Sequence, residues 1–469
     1  MPPTIPLSIM DFSALIASQR RQFQTGATRS LAYRQDQLRL LQAAIEAREA
    51  TLLDALHADL RKPAHEAYSA EIGLVLGDIR HALSRLPAWM RPQRRRLPLL
   101  AWPGKGRVVS EPFGVALIIG PWNYPFQLLF SPLTGALAAG NCVVLKPSEF
   151  APHSSAAIAR LISDTFPAEY VTVVEGDRQT AEALLCERFD TIFFTGSTSI
   201  GRAVMTAAAR HLTPVTLELG GKCPAVVCAD APLDIAARRI AWGKFMNAGQ
   251  TCVAPDFVLV DRRIRDPIVA ALTRAIHEFY GDDPQRSPDY GRIINTRHID
   301  RLTGYLKDGH IVTGGRHDAG DLYIAPTILT GVPVTAPVMQ EEIFGPILPV
   351  AEFTDMSAAL AQLRDCPSPL ALYLFTNDRA IQQRVIAETR SGGVCINDTI
   401  VHVTGHDLPF GGVGESGMGR YHGRASFDCF SHQRAIVRRS TLFDPRFRYP
   451  PRKLSLEKLR KVYRFFLGR

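Results

Sequence analysis

Apolar residues recur at two different periods along this chain, and the change falls near Gly114. From Ile16 to Trp89 glycines are few, and R-Q-D-Q-L-R-L-L-Q-A-A-I-E-A-R-E-A-T-L-L-D-A-L-H-A-D-L sets its apolar residues at steps of three and four. That spacing predicts amphipathic helices, which need a later sheet to pack against. Proline at Pro92, Pro98 and Pro103 then breaks the pattern. The stretch R-P-Q-R-R-R-L-P-L-L-A-W-P reads either as an exposed strand or arm, or as a solvated charged surface. From Gly114 the apolar residues come in short continuous runs bounded by Gly and Pro: G-V-A-L-I-I-G, C-V-V-L-K-P, V-T-V-V-E-G and T-I-F-F-T-G. Helical patterns near Ser154 to Phe166, Arg178 to Phe189 and Ser199 to Arg210 separate them. After Cys252 the alternation repeats, with D-F-V-L-V, H-I-V-T-G-G, G-P-I-L-P-V, L-A-L-Y-L-F-T and G-G-V-C-I-N-D as strands. Helices are expected between these near Asp266 to Phe279, Thr296 to Lys307, Met356 to Leu363 and Asp378 to Arg390. Continuous apolar strands between helices indicate parallel sheets covered on both faces, so the fold class is α/β with two doubly wound units.

With 469 residues the chain is long enough for two or three domains with large cores. Its 46% hydrophobic and 21% charged residues exclude a disordered chain. The eight cysteines (Cys142, Cys186, Cys223, Cys228, Cys252, Cys366, Cys395, Cys429) include no C-x-x-C pair and no zinc-ligand spacing with histidine. Reduced thiols, no bound metal and a cytoplasmic setting are expected. The formal charge of +9 is uneven: Arg446 to Arg469 hold nine Lys or Arg against one Glu, +8, which leaves +1 for the body (9 − 8). The basic balance thus belongs to a tail, and no nucleic-acid-binding face is expected on the fold. The N-terminal M-P-P-T-I-P-L-S-I-M-D-F has neither a basic n-region nor a long apolar core, and no apolar run approaches the roughly 20 residues of a membrane span.

Parallel sheets bind ligands at the carboxyl ends of their strands. This sequence puts P-W-N-Y-P-F (Pro121 to Phe126), K-P-S-E (Lys146 to Glu149) and T-G-S-T-S-I-G (Thr195 to Gly201) there. Gly196-x4-Gly201 alone is either a plain turn or a phosphate-binding loop. Cys252 lies among small and polar residues in N-A-G-Q-T-C-V-A-P, which leaves its sulfur open to approach. A thiol becomes a nucleophile as thiolate. Glu218, in T-L-E-L-G-G-K, is a candidate base for that step or for activating water. Tyr124, Phe126, Leu128 and Leu129 suggest a largely apolar substrate funnel.

T-P-V-T-L-E-L-G-G-K followed by R-R-I-A-W-G-K-F-M-N-A-G-Q-T-C-V-A-P resembles the aldehyde dehydrogenase superfamily, in particular its class 3 branch of fatty-aldehyde and coniferyl-aldehyde dehydrogenases. F-T-G-S-T-x-x-G and Q-E-E-I-F-G-P (Gln340 to Pro346) match further motifs of that family, and the likeness runs from about Arg20 to Arg434. The resemblance implies catalysis by Cys252, Glu218 and Asn123, with the Asn123 amide and the Cys252 N–H donating to an oxyanion. It implies NAD, with NADP also accepted, held by Trp122, Lys146, Glu149, Thr195, Gly196, Ser197, Thr198, Ser199, Ile200, Gly201, Leu219, Gly220, Glu342 and Phe344. Lys146 and Glu149 would face the adenosine ribose, Glu342 the nicotinamide ribose and Phe344 the nicotinamide ring. Tyr124, Phe126 and Gln127 would line the substrate pocket.

The implied domains are a variant Rossmann cofactor domain (1–91 and 115–217), a catalytic domain (218–405), a small β oligomerisation arm (92–114 and 406–435) and a basic amphipathic tail (446–469). L-P-F-G-G-V-G-E-S-G-M-G-R-Y-H-G (Leu408 to Gly423) is expected to be a structural loop that follows no buried strand and opens no helix. The implied activity is NAD(P)-dependent oxidation of an aromatic or medium- to long-chain aldehyde to the acid, by a homodimer. An acylating or semialdehyde dehydrogenase, or a catalytically silent membrane-associated homologue, are the alternatives. In the tail, Leu456, Leu459, Tyr463, Phe466 and Leu467 form an apolar stripe beside Lys458, Arg460, Lys461 and Arg464. This helix either docks on protein or lies peripherally on an anionic inner-membrane surface.

Overall fold

The computed structural model of the chain describes residues 12–98, 101, 103–444, 449–451 and 454–467. Residues 1–11 of the N-terminal segment, Leu99, Leu100 and Trp102 of the expected arm, and the side chains of Phe466 and Leu467 lie outside the described residues.

Strands β1 (Gln93–Arg95) and β2 (Gly104–Pro112) come first. Then β3 (Val115–Ile119), β4 (Cys142–Lys146), β5 (Val171–Val173), β6 (Thr191–Gly196) and β7 (Val215–Leu219) alternate with helices. β8 (Pro224–Val227) and β9 (Phe257–Asp261) open a second unit. It continues through β10 (His310–Thr313), the ribbon β11 (His317–Asp318) and β12 (Tyr323–Ile324), and β13 (Thr327–Thr330). β14 (Ile347–Phe353), β15 (Ala371–Phe375) and β16 (Gly393–Ile396) complete it, before β17 (Gly417–Met418) and β18 (Ser431–Arg439) return to earlier sheets.

The six-stranded sheet has the order β17-β7-β6-β3-β4-β5 and the seven-stranded sheet β10-β13-β14-β9-β8-β15-β16. Both are parallel except for one antiparallel edge each, β17 on β7 and β10 on β13. Their central strands are wholly buried, which is why they read as unbroken apolar runs. In the first sheet the chain steps from β3 to β4 and β5 on one side and later to β6 and β7 on the other. The crevice between β3 and β6 is therefore the topological switch point where such sheets bind ligands. The N-terminal helices Leu31–Ala47, Glu49–Leu60 and Gly73–Trp89 cover this unit by packing on helices Gln127–Ala139 and Pro152–Thr165.

Three expectations need correction. The expected domain boundary at 217/218 falls inside β7, whose residues Val215 to Leu219 all pair with β6; the strand ends only where Gly220 and Gly221 begin. The glycine-dense stretch 408–423 is more than a loop, because Gly417 and Met418 pair with Glu218 and Leu217, and the stretch leads into helix Arg424–Cys429. A strand of two residues cannot display a period of two, so the pattern hid it. The expected arm is a three-stranded antiparallel sheet, β1-β2-β18, in which β18 runs on to Arg439.

Candidate active site

Cys252 follows a short turn, Met246–Gly249, in which Asn247 and Ala248 have φ of 52° and 50°. Such left-handed conformations are costly for residues with a Cβ and persist only where the surroundings fix them. Here they do. Asn247 Nδ2 donates to Asn123 O (2.8 Å) and Gln250 O (3.2 Å), while Gln250 Nε2 donates to Asn247 O (3.0 Å) and Arg292 O (2.9 Å). The Ile294 N–H donates to Gln250 Oε1 (3.0 Å). Gly249 adopts φ 76°, and a Cβ there would run into the Gly345 carbonyl.

Asn123 sits in the loop after β3, at the switch point, and is buried. Its Nδ2 donates to Gln250 O (2.9 Å), two residues before Cys252, which leaves the second amide hydrogen for another acceptor. Lys62 Nζ donates to the Asn123 carbonyl (3.0 Å) and pairs with Glu71 at 2.5 Å, both side chains at zero exposure. Glu71 Oε2 accepts from the Phe126 and Gln127 N–H groups (2.9 and 3.2 Å). Glu71 reaches them from a single π turn, Tyr68–Ile72, the kind of local helix widening that recurs at functional sites. Tyr124 lies under Lys62 (4.1 Å to the ring centre), and its hydroxyl bonds to Thr251 Oγ1 (2.8 Å). Sequence reasoning missed Lys62, Glu71, Asn247 and Gln250 as supports; the break at Pro63 directly after Lys62 was the available signal.

Glu218 lies near the end of β7, opposite Thr195 on one side and Gly417 on the other. It is buried, and neither carboxyl oxygen has a hydrogen-bond partner among the described residues. Burial alone holds its pKa well above the usual carboxylate range. Glu342 is wedged so closely against the chain that a Cβ on Gly220 would overlap its carboxyl, and Oε1 has no partner among the described residues. Burial and then Asp256 push it up to about 8. Asp256 in turn accepts from the Ile343 N–H (3.1 Å) and from Lys222, and Arg301 donates to Ile343 O (2.8 Å), so the segment carrying Glu342 is clamped from both sides. Phe344 meets Trp122 edge to face at 5.3 Å. The Cys252 sulfur is reached from a cavity, yet its surroundings are dense. Burial first, then the Glu342 and Glu218 carboxyls, push the thiol up to about 12, and a thiol so raised is a nucleophile only after a base has taken its proton.

A cavity of about 210 Å³ opens on Cys252. Tyr124, Gln127 and Leu128 line it with Trp242, Met246, Ile400 and Phe410. Phe126 and Leu129 do not: Phe126 stacks on Phe130 at 4.2 Å, and Leu129 packs under Gly120. The helix Gln127–Ala139 starts just after Phe126, and its phase turns these two side chains into the core.

On the other side of Asn123, Ser197 starts the 12-residue helix Thr198–Ala209 without capping it through its side chain, and Gly201 lies in its first turns. This N-terminus presents unpaired N–H groups to an anion. Thr195 Oγ1 is buried beside it without a partner among the described residues, and Leu219 packs on Gly201 while Ile200 and Ser199 are exposed. Lys146 is buried at the end of β4, bonded to Pro147 O (2.7 Å) and 3.8 Å from the half-exposed Glu149, and burial lowers its pKa. An open helix end, a hydroxyl without a partner, an ammonium–carboxylate pair and a buried, unpartnered Glu342 oxygen are a donor and acceptor set that fits a dinucleotide.

A model of the Aldehyde dehydrogenase family matches residues 8–436. The chain belongs to that family. It is similar to the dimeric NADP-preferring aldehyde dehydrogenase of Canis lupus familiaris, at 47% identity over 94% of this chain and 97% of that protein. It is also similar to the 4,4'-diaponeurosporen-aldehyde dehydrogenase of Staphylococcus aureus, at 45% identity over 94% and 97% of the two chains. The substrate-bound Staphylococcus aureus AldH structure superposes with a TM-score of 0.94 at 44% identity, over 97% of this chain and 99% of that one. This aldehyde dehydrogenase is thus an oxidoreductase with Rossmann-like sheets that works with NAD(P). No described helix is long and apolar enough to cross a membrane.

Proposed function

We propose that this aldehyde dehydrogenase oxidises an aromatic or medium- to long-chain aldehyde to the carboxylic acid through a cysteine thiohemiacetal and a thioester. The observation that carries the reading is the pair of unpartnered Glu218 oxygens buried within electrostatic reach of the Cys252 thiol. Cys252 sulfur bonds to the carbonyl carbon as its proton leaves to a carboxylate. The free Asn123 amide hydrogen and the Cys252 N–H hold the oxyanion, a role for which one donor is typically worth ~10²–10³ in rate. The hydride leaving this carbon would be accepted by a nicotinamide held beside Glu342 and Phe344, which would supply the two-electron oxidant. Glu218 then takes a proton from water, whose oxygen displaces Cys252 from the thioester and releases the acid. A carboxyl held above its usual pKa is a stronger base once ionised, which suits that step. In this reading the six-stranded sheet carries the dinucleotide through Trp122, the Lys146–Glu149 pair, the 195–201 loop, Leu219 and Gly220. The seven-stranded unit carries Cys252, Glu342 and Phe344. Glu149 would repel a 2′-phosphate and so favours NAD. The apolar lining supports an apolar substrate, and the presence of Glu218 favours water over another acyl acceptor. Glu218→Gln tests the reading: about one reduced cofactor per site should appear in a burst, followed by a stall. Equal loss of burst and steady state would move Glu218 to the first step.

We infer further that the enzyme is a homodimer and that its tail touches anionic membrane. The first is supported by the dimeric relative. The second is supported by helix Leu456–Leu467, where Leu456 and Phe465 are 62% and 68% exposed among Lys458, Arg460, Lys461 and Arg464.

A further inference from the structure

Charge counting along the chain assigns the basic excess to the tail, but strand register gathers a second one that counting cannot see. In the arm sheet, Arg94 on β1 stands opposite Arg107 on β2, and Lys105 on β2 stands opposite Arg438 on β18. Directly opposed residues project from the same face, and so do alternate residues along one strand. Arg94, Lys105, Arg107, Arg434 and Arg438 therefore share one face, and all five are exposed. Glu111 is the carboxylate at the register positions of this face, and it pairs with Arg434 at 3.2 Å. Like charges placed directly opposite each other destabilise a sheet, and here two such pairs sit side by side. A face that repels itself in isolation is relieved when an anionic surface covers it.

We propose that this face of the β1-β2-β18 sheet binds the headgroups of an anionic phospholipid bilayer, so that the arm and the tail together form one membrane-contacting side. The proposal shares the tail's reading of an anionic membrane but rests on different residues. Two features favour a bilayer over another occupant. The chain leaves β18 at Arg439 and within four residues exposes Leu442 and Phe443, so exposed apolar side chains directly follow the cationic strand, the composition of an interfacial contact. The outer backbone edge of β18, which among the described residues pairs with β2 alone, is a separate surface and stays available for a strand of a second copy.

The test uses the full chain and vesicles of phosphatidylglycerol and phosphatidylcholine, with pure phosphatidylcholine as control. Wild-type protein is expected to pellet with the anionic vesicles at low salt and to be released at high salt. The triple variant Lys105→Glu, Arg107→Glu, Arg438→Glu is expected to lose about tenfold or more in vesicle affinity, while turnover of a water-soluble aldehyde stays at the wild-type level. Lys105→Gln, Arg107→Gln, Arg438→Gln keeps the fold under control: it should weaken binding and leave Tm equal or higher, because two repelling pairs are gone. Equal pelleting of the triple variant and wild type overturns the proposal. If Leu456→Ser with Phe465→Ser abolishes pelleting and the arm variant does not, the tail alone is the anchor and the arm proposal falls. Loss of dimer by the arm variant with unchanged pelleting assigns the face to a second copy. A shift of a mixed-sequence oligonucleotide by wild type without vesicle binding assigns it to nucleic acid; either result overturns the proposal.

Discussion

Glu71 and Glu218 are two carboxyls taken fully out of water, one on a π turn and one on a strand end, and the chain surrounds them in opposite ways. Glu71 is matched to an ammonium at 2.5 Å and to two backbone N–H groups, so every lone pair that matters has a donor. Glu218 has none. The first arrangement converts burial into rigidity, since a satisfied buried network has one low-energy geometry. The second converts burial into reactivity, since a carboxyl without donors is costly to ionise and binds a proton avidly once it is. The loop from Asn123 to Gln127 is thus fixed by Glu71, while Glu218 keeps both oxygens free for the role proposed for it.

The sharpest way to break this comparison is to neutralise each member. Glu218→Gln should lower steady-state turnover about 10²–10⁴-fold while leaving unfolding free energy within about 1 kcal/mol of wild type, read by urea denaturation. A large loss of stability would show that Glu218 also holds the fold. Glu71→Leu should do the reverse first. Stranding Lys62 as an unpaired buried charge should cost about 3–5 kcal/mol, and the double variant Lys62→Met with Glu71→Leu should recover most of it. If the double variant is no more stable than Glu71→Leu, the pair is not the staple described.

A pH series sharpens the contrast at Glu342. Its folded pKa is raised to about 8 from 4.5, so the native protein keeps a proton that the unfolded chain releases. Stability from this group is complete below about pH 4.5, declines as pH rises and is fully lost above about 8. Tm measured across that window should fall more steeply in wild type than in Glu342→Gln. The smallest effect is expected at Tyr124→Phe, which removes one neutral hydrogen bond to Thr251 and should cost about 0.5–1.5 kcal/mol by the same denaturation assay. A cost above that range would mean the hydroxyl has a further task in the cavity.

What was legible in the sequence was what local strings encode. Both sheets showed as apolar runs because their strands are buried on both faces; Cys252 stood among small and polar residues unusual for a core, whereas Asn123 was pointed to only by the family resemblance of its string. The supports were illegible because they are non-local. Lys62 meets the Asn123 carbonyl across 61 positions, and Glu71 depends on one extra residue in a helical turn, which no periodicity announces. Phe126 and Leu129 were expected in the funnel because a sequence gives a helix's period but not its phase. The basic arm face needed register, which only strand pairing supplies.

Glu218 is paired with Gly417 across the edge of its sheet. The strand that flanks the glutamate on its outer side is supplied 199 positions later in the chain (417 − 218). During synthesis on a ribosome, Glu218 and Cys252 emerge long before that neighbour exists. A nascent or truncated polypeptide therefore carries both groups of the proposed mechanism with β7 uncovered on its outer edge, a non-local closure of the kind that is slow and late. Assembly of the reactive pocket is deferred until almost the whole message has been read, so that in a cell the capacity for chemistry is coupled to translation having run nearly to completion.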